Sequence, residues 1–390
     1  FAETCLTNVV PRPKKSQRMS ILPQPLEERL TNLAGALIDQ LQARILVPPR
    51  QASSGFWFGG GNMIEDEDGT LHVVGRYRNH GDSRTGTGLA TGERGLELAV
   101  FSSGNNGETW EKSLSLSKSD LDLPGRRVLS IEGSALHRSE TGVELFVSTE
   151  KDGIGYPTGF EDHLKPGTGV WTIERLAADS IAGLKHAQSV TVLHCNDPRW
   201  LHVKDPFVYD RANGDLILLF CSHPYCWSSS NTGYSIRGAG ESTFSEPVYD
   251  FFPRGFTWDV AMTRGTCVLD VPAIGAFQET PVSLMFYDGG ESLRNLGEHA
   301  TAVTRPRGYS CEEIGGAAYL RDGNFSAIER LSKHQPLFVS PMGTGSSRYV
   351  DALQTRSGDL IATWQQSQHD GSQPLVMHRL NAGKVASLLS

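Results

Sequence analysis

The sequence predicts an all-β chain, a five-bladed β-propeller with an N-terminal amphipathic helix. Three observations carry that expectation. After Gly55 the chain runs in short apolar or alternating stretches separated by Gly, Asp, Asn and Ser, the pattern of antiparallel strands and turns. Those stretches group into five similar units of about sixty residues. Helical periodicity is confined to one segment before residue 50. A length of 390 residues admits two or three domains or one large all-β domain, and 42 Gly with 20 Pro fit the turn-rich choice.

Taken in order, residues 1–24 read as a flexible extension, 25–50 as a helix and linking strand, and 51–390 as the propeller. Leu26, Leu30, Leu33, Leu37 and Leu41 recur at three- and four-residue steps, with Pro23 and Pro25 ahead of the first turn and Pro48 and Pro49 closing the segment. Such a stripe packs on something larger. Each later unit opens with a strand that carries a polar residue, passes a turn of Asp or Asn with Gly, and enters a very apolar second strand. The units are GGGNMIEDEDG with TLHVVGRYR, LSIEGSALHRSETG with VELFVSTE, LHVKDPFVYDRANG with DLILLFCSH, TWDVAMTRGTCVLDVP with PVSLMFYDGG, and SRYVDALQTRSG with DLIATWQQS. Third strands follow as GLELAVFSS, GVWTIERLA, NTGYSIRG, HATAVTR and PLVMHRL. No unit can bury both faces of its sheet alone, so five imply radial stacking. The fifth shows only three strands; residues 43–49 (ARILVPP), in preference to the C-terminal KVASLLS, supply the fourth and close the ring. Two packed β-sandwiches are the alternative arrangement.

Ser103-Gly-Asn105-Asn-Gly107-Glu-Thr109-Trp110 fits S-x-D/N-x-G-x-T-W and resembles the Asp-box turn of sialidase-like propellers, between the third and fourth strands of a blade. Asn105 can bond amides of its own turn, Gly107 can supply a positive φ, and Trp110 can anchor the turn on the sheet. This is a folding staple; Ser229–Ile236 fits it only loosely.

With 36 Lys+Arg against 44 Asp+Glu and no basic stripe, the formal charge of −8 argues against a nucleic-acid surface. No stretch reaches the roughly 18–20 consecutive apolar residues of a membrane helix. Neither Phe1 nor Met19 is followed by a secretory apolar core, so the expected location is the cytoplasm, although a cleaved leader would leave no trace. Six cysteines are too sparse for a disulfide scaffold, and Cys195, Cys221 and Cys267 sit in apolar runs as buried thiols. No metal site, P-loop or dinucleotide motif is present; no cofactor is required, and a structural calcium ion is compatible with the many oxygen ligands.

In a propeller the innermost strands meet at one mouth, and here each carries a polar or acidic residue near that end: Asn62, Glu132, Asp205, Asp259 and Asp351. Glu132, Asp205 and Asp351 have apolar flanks, where a lone carboxylate is costly to bury without partners. Carboxylates crowded into one cavity resist joint ionisation, so one can act as acid while another stays a base. Glycosidic hydrolysis needs that division. Around the same mouth Arg76, Arg78, His80 and Asp82, in a densely functionalised loop, together with Trp258, Arg264 and Arg348, are candidates for substrate binding; Trp227 is a candidate for stacking on a sugar.

The five-unit pattern, Lys204-Asp205-Pro206 and Ile131-Glu132-Gly133 resemble the five-bladed propeller glycosidases, notably glycoside hydrolase family 43 and its furanosidase relatives. The resemblance implies three acids on separate blades in an inverting mechanism: Glu132 as general acid, Asp205 as the orienting residue, and Asp351 or Asp259 as base. Two features depart from the family pattern. Asn62 stands where the family usually has its Asp base, and the Glu precedes the Asp-Pro blade. The implied function is an exo-acting glycoside hydrolase with a carbohydrate substrate. The alternatives are a sialidase-like hydrolase with a Tyr nucleophile, Tyr309 near Glu312 or Glu313, and a propeller that binds carbohydrate or protein without catalysis.

Overall fold

The computed structural model describes residues 22–53, 56–79, 93–290, 304–305, 308–309, 313–321, 323–339 and 347–390. Helix α1 (Gln24–Leu37) carries Pro in its first turn, where the missing N–H costs nothing. It buries Leu30, Leu33, Ala34 and Leu37. Leu41 lies beyond its end and is exposed. The apolar side of α1 packs against the C-terminal helix α2 (Ala382–Leu389) and the core of the last two blades, and Arg29 Nη1 donates to Leu389 O at 3.0 Å. KVASLLS is therefore largely helical.

Strand β1 (Arg44–Val47) precedes five blades. Blade 1 consists of β2 (Trp57–Gly59), β3 (Met63–Glu65), β4 (Leu71–Asn79), β5 (Glu93–Ser103) and β6 (Glu111–Ser117). Blade 2 is β7 (Val128–Ser139), β8 (Gly142–Lys151), β9 (Val170–Ala178) and β10 (Val190–Leu193). Blade 3 is β11 (His202–Asp210), β12 (Leu216–His223), β13 (Asn231–Arg237) and β14 (Val248–Phe252). In blade 4, β15 (Met262–Asp270) and β16 (Val282–Gly290) are followed by a short ribbon, β17 (Thr304–Arg305) with β18 (Gly308–Tyr309), before β19 (Glu313–Arg321) and β20 (Glu329–Arg330). Blade 5 is β21 (Ser347–Gln354), β22 (Leu360–Gln366) and β23 (Leu375–Leu380). Its outermost strand is β1, paired antiparallel with β23, so the ring closes with the expected segment.

One strand assignment is corrected. The third strand of blade 4 is EIGGAAYLR, not HATAVTR. Its two glycines disguise it: a Cβ on Gly315 would lie 1.9 Å from the Phe338 ring, and one on Gly316 2.6 Å from Trp258. Ring packing there demands the residue that strands normally avoid.

Every inner strand carries a bulge. Gly60, Gly61 and Asn62 separate the pairs Gly59↔Arg76 and Met63↔Val73 in blade 1. Glu132-Gly133 interrupts β7, Asp205-Pro206 interrupts β11, Thr266 interrupts β15, and Tyr349-Val350 interrupts β21. A bulge bends its strand and re-aims a side chain. Among the described residues only four non-glycine residues have φ in the left-handed region, and two are bulge residues, Asp205 (φ 51) and Tyr349 (φ 53). That conformation costs roughly 1–2 kcal/mol for an L-residue and collects at functional sites.

Candidate active site

The bulges help bring side chains of all five blades into one chain of contacts. Arg76, on β4 opposite Gly59, donates through Nη1 to Gly59 O at 2.9 Å and through Nη2 to Glu132 Oε2 at 2.5 Å. Arg76 Nη2 also lies 3.4 Å from Tyr349 Oη, which donates in turn to Asp205 Oδ1 at 3.5 Å. Arg264, on β15, closes the series with Nη1 3.3 Å from Asp205 Oδ2 and Nη2 2.7 Å from Asp288 Oδ2. Asp288 accepts the Tyr349 backbone N–H, and Asp205 accepts that of Gly133 at 3.1 Å. The Arg264 guanidinium lies 4.4 Å from the Tyr349 ring centroid.

Glycines make room for this series. A Cβ on Gly60 would sit 2.1 Å from Arg76 Nη1, and one on Gly133 2.6 Å from Asp205 Oδ1. The GGG and IEG motifs are thus explained by the passage of an arginine and the seating of a carboxylate. The members differ in access: Arg76, Asp205, Asp288 and Tyr349 are buried, while the Glu132 side chain keeps 15% of its surface. It is the carboxylate of the group that meets solvent.

Burial alone would raise the pKa of Glu132. Attraction from Arg76, then Lys204 and Arg78, outweighs burial and holds the carboxyl well below the usual range. Burial keeps the Tyr349 phenol protonated. Asp351 behaves differently. Burial lifts it to about 7, against hydrogen bonds from the Met63 and Ala352 N–H groups, the former at 2.7 Å.

Of the residues singled out by sequence, Glu132, Asp205, Arg76 and Arg264 are brought together. Arg78 and Arg348 flank them, with guanidinium carbons 5.3 and 5.4 Å from the Trp57 ring centroid. Asn62 instead stitches blade 1 to blade 2, accepting the Leu136 N–H at 2.7 Å and donating to Leu136 O at 2.9 Å. Asp351 lies past its bulge and bonds the backbone of blade 1. Asp259 is paired with Arg330 Nε at 2.8 Å, on the outermost strand of blade 4, and with Tyr287 Oη. Trp258 is buried, stacked on Tyr287 at 5.4 Å, and donates to Ser332 O. Both belong to the packing of blade 4, because their turn runs ahead of β15 rather than within it. Trp227 is half-buried beside the mouth, stacked on His202 at 4.1 Å. His80, Asp82 and Glu312, and the side chains of Tyr309 and Glu313, lie outside the described residues.

Sequence reading missed Asp288 and Tyr349. Asp288 precedes Gly289-Gly290 and looks like a turn acid, and Tyr349 looks like one more strand aromatic. The recurring interruption of pairing in the inner strands would have marked Tyr349, but only with the pairing in hand.

Among the described residues no group of three His, Cys, Asp or Glu side chains could hold a metal ion, and no helix is long and apolar enough to cross a membrane. Cys195, Cys221 and Cys267 are buried and unpaired. On the face opposite the mouth, a cavity of about 300 Å³ between blades 1 and 2 is lined by Asp66, His72, Ser102 and Arg138, none of which belongs to the chain of contacts.

No family model matches the sequence, and no curated protein does. Solved structures do match. A thermostable family-43 glycoside hydrolase is 10% identical over 86% of this chain and 92% of its own, with a TM-score of 0.54. Another glycoside hydrolase is 11% identical over 92% and 96%, with a TM-score of 0.58. An α-L-arabinofuranosidase from Lactobacillus brevis is 9% identical over 87% and 93%, with a TM-score of 0.51. The chain is an all-β five-bladed propeller, and the similarity to these hydrolases extends over most of its length.

Proposed function

We propose that the protein is a glycoside hydrolase that removes a terminal sugar at the propeller mouth. The observation that carries this reading is Glu132. It is a carboxylate that still meets solvent, set on a bulge, ionised by Arg76, and one residue from the backbone N–H that holds a second acid, Asp205. The propeller shared with family-43 hydrolases supports the same reading. Family resemblance suggested Glu132 as proton donor. Its pairing with Arg76 favours the ionised state, so we assign Glu132 to activating water or attacking the anomeric carbon, and Asp205 to orienting Arg264 and Tyr349. Tyr349 is the neutral group of this series that keeps its proton.

The test is hydrolysis of a panel of aryl glycosides by the wild type and by Glu132→Gln, which preserves shape and an acceptor for Arg76. Turnover should fall by at least about a hundredfold, as expected for loss of an acid–base group, with the fold intact by circular dichroism. Undiminished cleavage by Glu132→Gln would remove the assignment. Asp205→Asn is the poorer test, because it also leaves Arg264 short of a buried partner.

A second reading, a sialidase-like hydrolase with a Tyr nucleophile, draws on Tyr349, which lies between Arg76 and Arg264 and would pass its phenolic proton to Asp205 Oδ1, 3.5 Å away, on attack. Cleavage of a sialoside reporter that is lost in Tyr349→Phe supports it.

A further inference from the structure

Beside Glu132 the mouth holds a cation that acts on that carboxylate through space but forms none of the hydrogen bonds of the chain of contacts. Lys204 is the residue before the blade 3 bulge, on β11, and is half-buried. Its Nζ lies 4.4 Å from the Trp171 ring centroid and 5.4 Å from that of Trp227. Trp171 is buried on β9 of the neighbouring blade. Trp227 sits on the loop between β12 and β13 in the left-handed conformation (φ 58). It is backed by His202, whose Nε2 is 3.0 Å from the Tyr156 hydroxyl. Two blades thus build a wall of indoles around one ammonium. An ammonium has three N–H donors and no acceptor. Among the described residues Lys204 forms its ring contacts but no hydrogen bond and no ion pair. The nearby carboxylate, Glu132, is taken by Arg76.

An amine on a flexible stem ordinarily finds a carboxylate or extends into bulk water. Here the indole faces hold the stem, while the head stays at the edge of a mouth that already carries Arg76 and Arg78. A neutral sugar would leave the ammonium short of a strong acceptor and without its water. An anionic group would fill that place, with the indole of Trp227 alongside for an apolar sugar face.

We infer that Lys204, held between Trp171 and Trp227, reads a carboxylate on the ligand, so that the sugar taken at the mouth is a hexuronate rather than a neutral hexose. This deepens the hydrolase reading by naming a substrate class, and it can be read out without turnover. The experiment is calorimetric titration of the full chain with D-glucuronate, D-galacturonate, D-glucose and D-galactose. The wild type should bind at least one uronate tenfold or more tighter than its neutral counterpart. Lys204→Met, which keeps the stem against the indoles, should abolish the preference, and Lys204→Arg should retain part of it. Equal binding of both sugar types, binding of neither, or a preference that survives Lys204→Met overturns the inference. The wild-type comparison decides even where a variant folds poorly. Uronate preference without cleavage of any aryl glycoside would sink the hydrolase reading alone. Cleavage of neutral glycosides without uronate preference would sink this inference alone.

Discussion

Arg76 is the residue on which the candidate site turns. It joins the backbone at Gly59, the carboxylate of Glu132 and the hydroxyl of Tyr349, and its charge is the largest influence opposing burial at Glu132. Replacing Arg76 by Gln should let the pKa of Glu132 rise. If catalysis uses the ionised form, the acidic limb of the kcat/KM profile moves to higher pH, because the carboxylate is then lost earlier on acidification. An acidic limb that stays in place in a folded variant would show that Glu132 does not set it. The variant also leaves a buried network one cation short, a change that typically costs about 3–5 kcal/mol, so its melting temperature should drop as well. Glu132 and Asp205 were legible in the sequence because acids within apolar runs need partners. Which partners they find was not, since Arg76 and Tyr349 are separated by 273 residues and become neighbours only when the ring closes.

At the scale of the element, the turn Ser103–Trp110 is a self-contained set of hydrogen bonds. Asn105 Oδ1 accepts from Ser103 Oγ at 2.9 Å and from the Thr109 N–H at 3.0 Å, and the Trp110 indole donates to Gly107 O at 3.1 Å. The closing blade grips the same turn. Arg44 Nη2 donates to Gly107 O at 2.6 Å, and Arg379 donates to Asn106 Oδ1 at 2.7 Å and to Asn106 O at 2.8 Å. Asn105→Ala should therefore cost about 0.5–1.5 kcal/mol, the usual net worth of such hydrogen bonds, as measured by urea unfolding. No measurable change would mean that the arginines hold the turn unaided. Strand pairs and turns were readable here because period-two alternation and Gly-containing turns are local signals. The bulges were not. An extra residue in a strand leaves the composition unchanged, and β19 was hidden by glycines whose reason, the rings of Phe338 and Trp258, lies in other segments.

For the whole molecule, the blades are joined by buried charges whose titration sets a stability profile. Between blades 2 and 3, His137 lies 2.8 Å from Glu144 and 2.9 Å from Asp210, and Glu144 is also held by Arg237 and Arg175. Burial would lower the pKa of His137, but bonding to Asp210 and Glu144 raises it, so its contribution is full below about 6.5 and is lost as pH climbs through the raised value. Asp351, lifted to about 7 by burial, acts in the same direction: its protonated form suits the fold, so its contribution is full below about pH 4 and is lost as pH rises to about 7. Glu144 is held well below the usual range once its partners overcome burial, so its contribution fails only on strong acidification. The melting temperature should peak in acidic buffer and decline through neutral pH. Asp351→Asn should flatten the part of that decline between about pH 4 and pH 7, gaining on the order of 1 kcal/mol or more at pH 7 relative to pH 4. A melting curve equally steep in the variant would exclude Asp351 as a source of the decline. The latch in blade 5 adds a matter of timing. Arg44–Val47 is synthesised before the other strands of every blade, yet its partner Leu375–Leu380 follows almost all of them, so this edge must wait, unpaired, for the intervening blades before the circle can be joined.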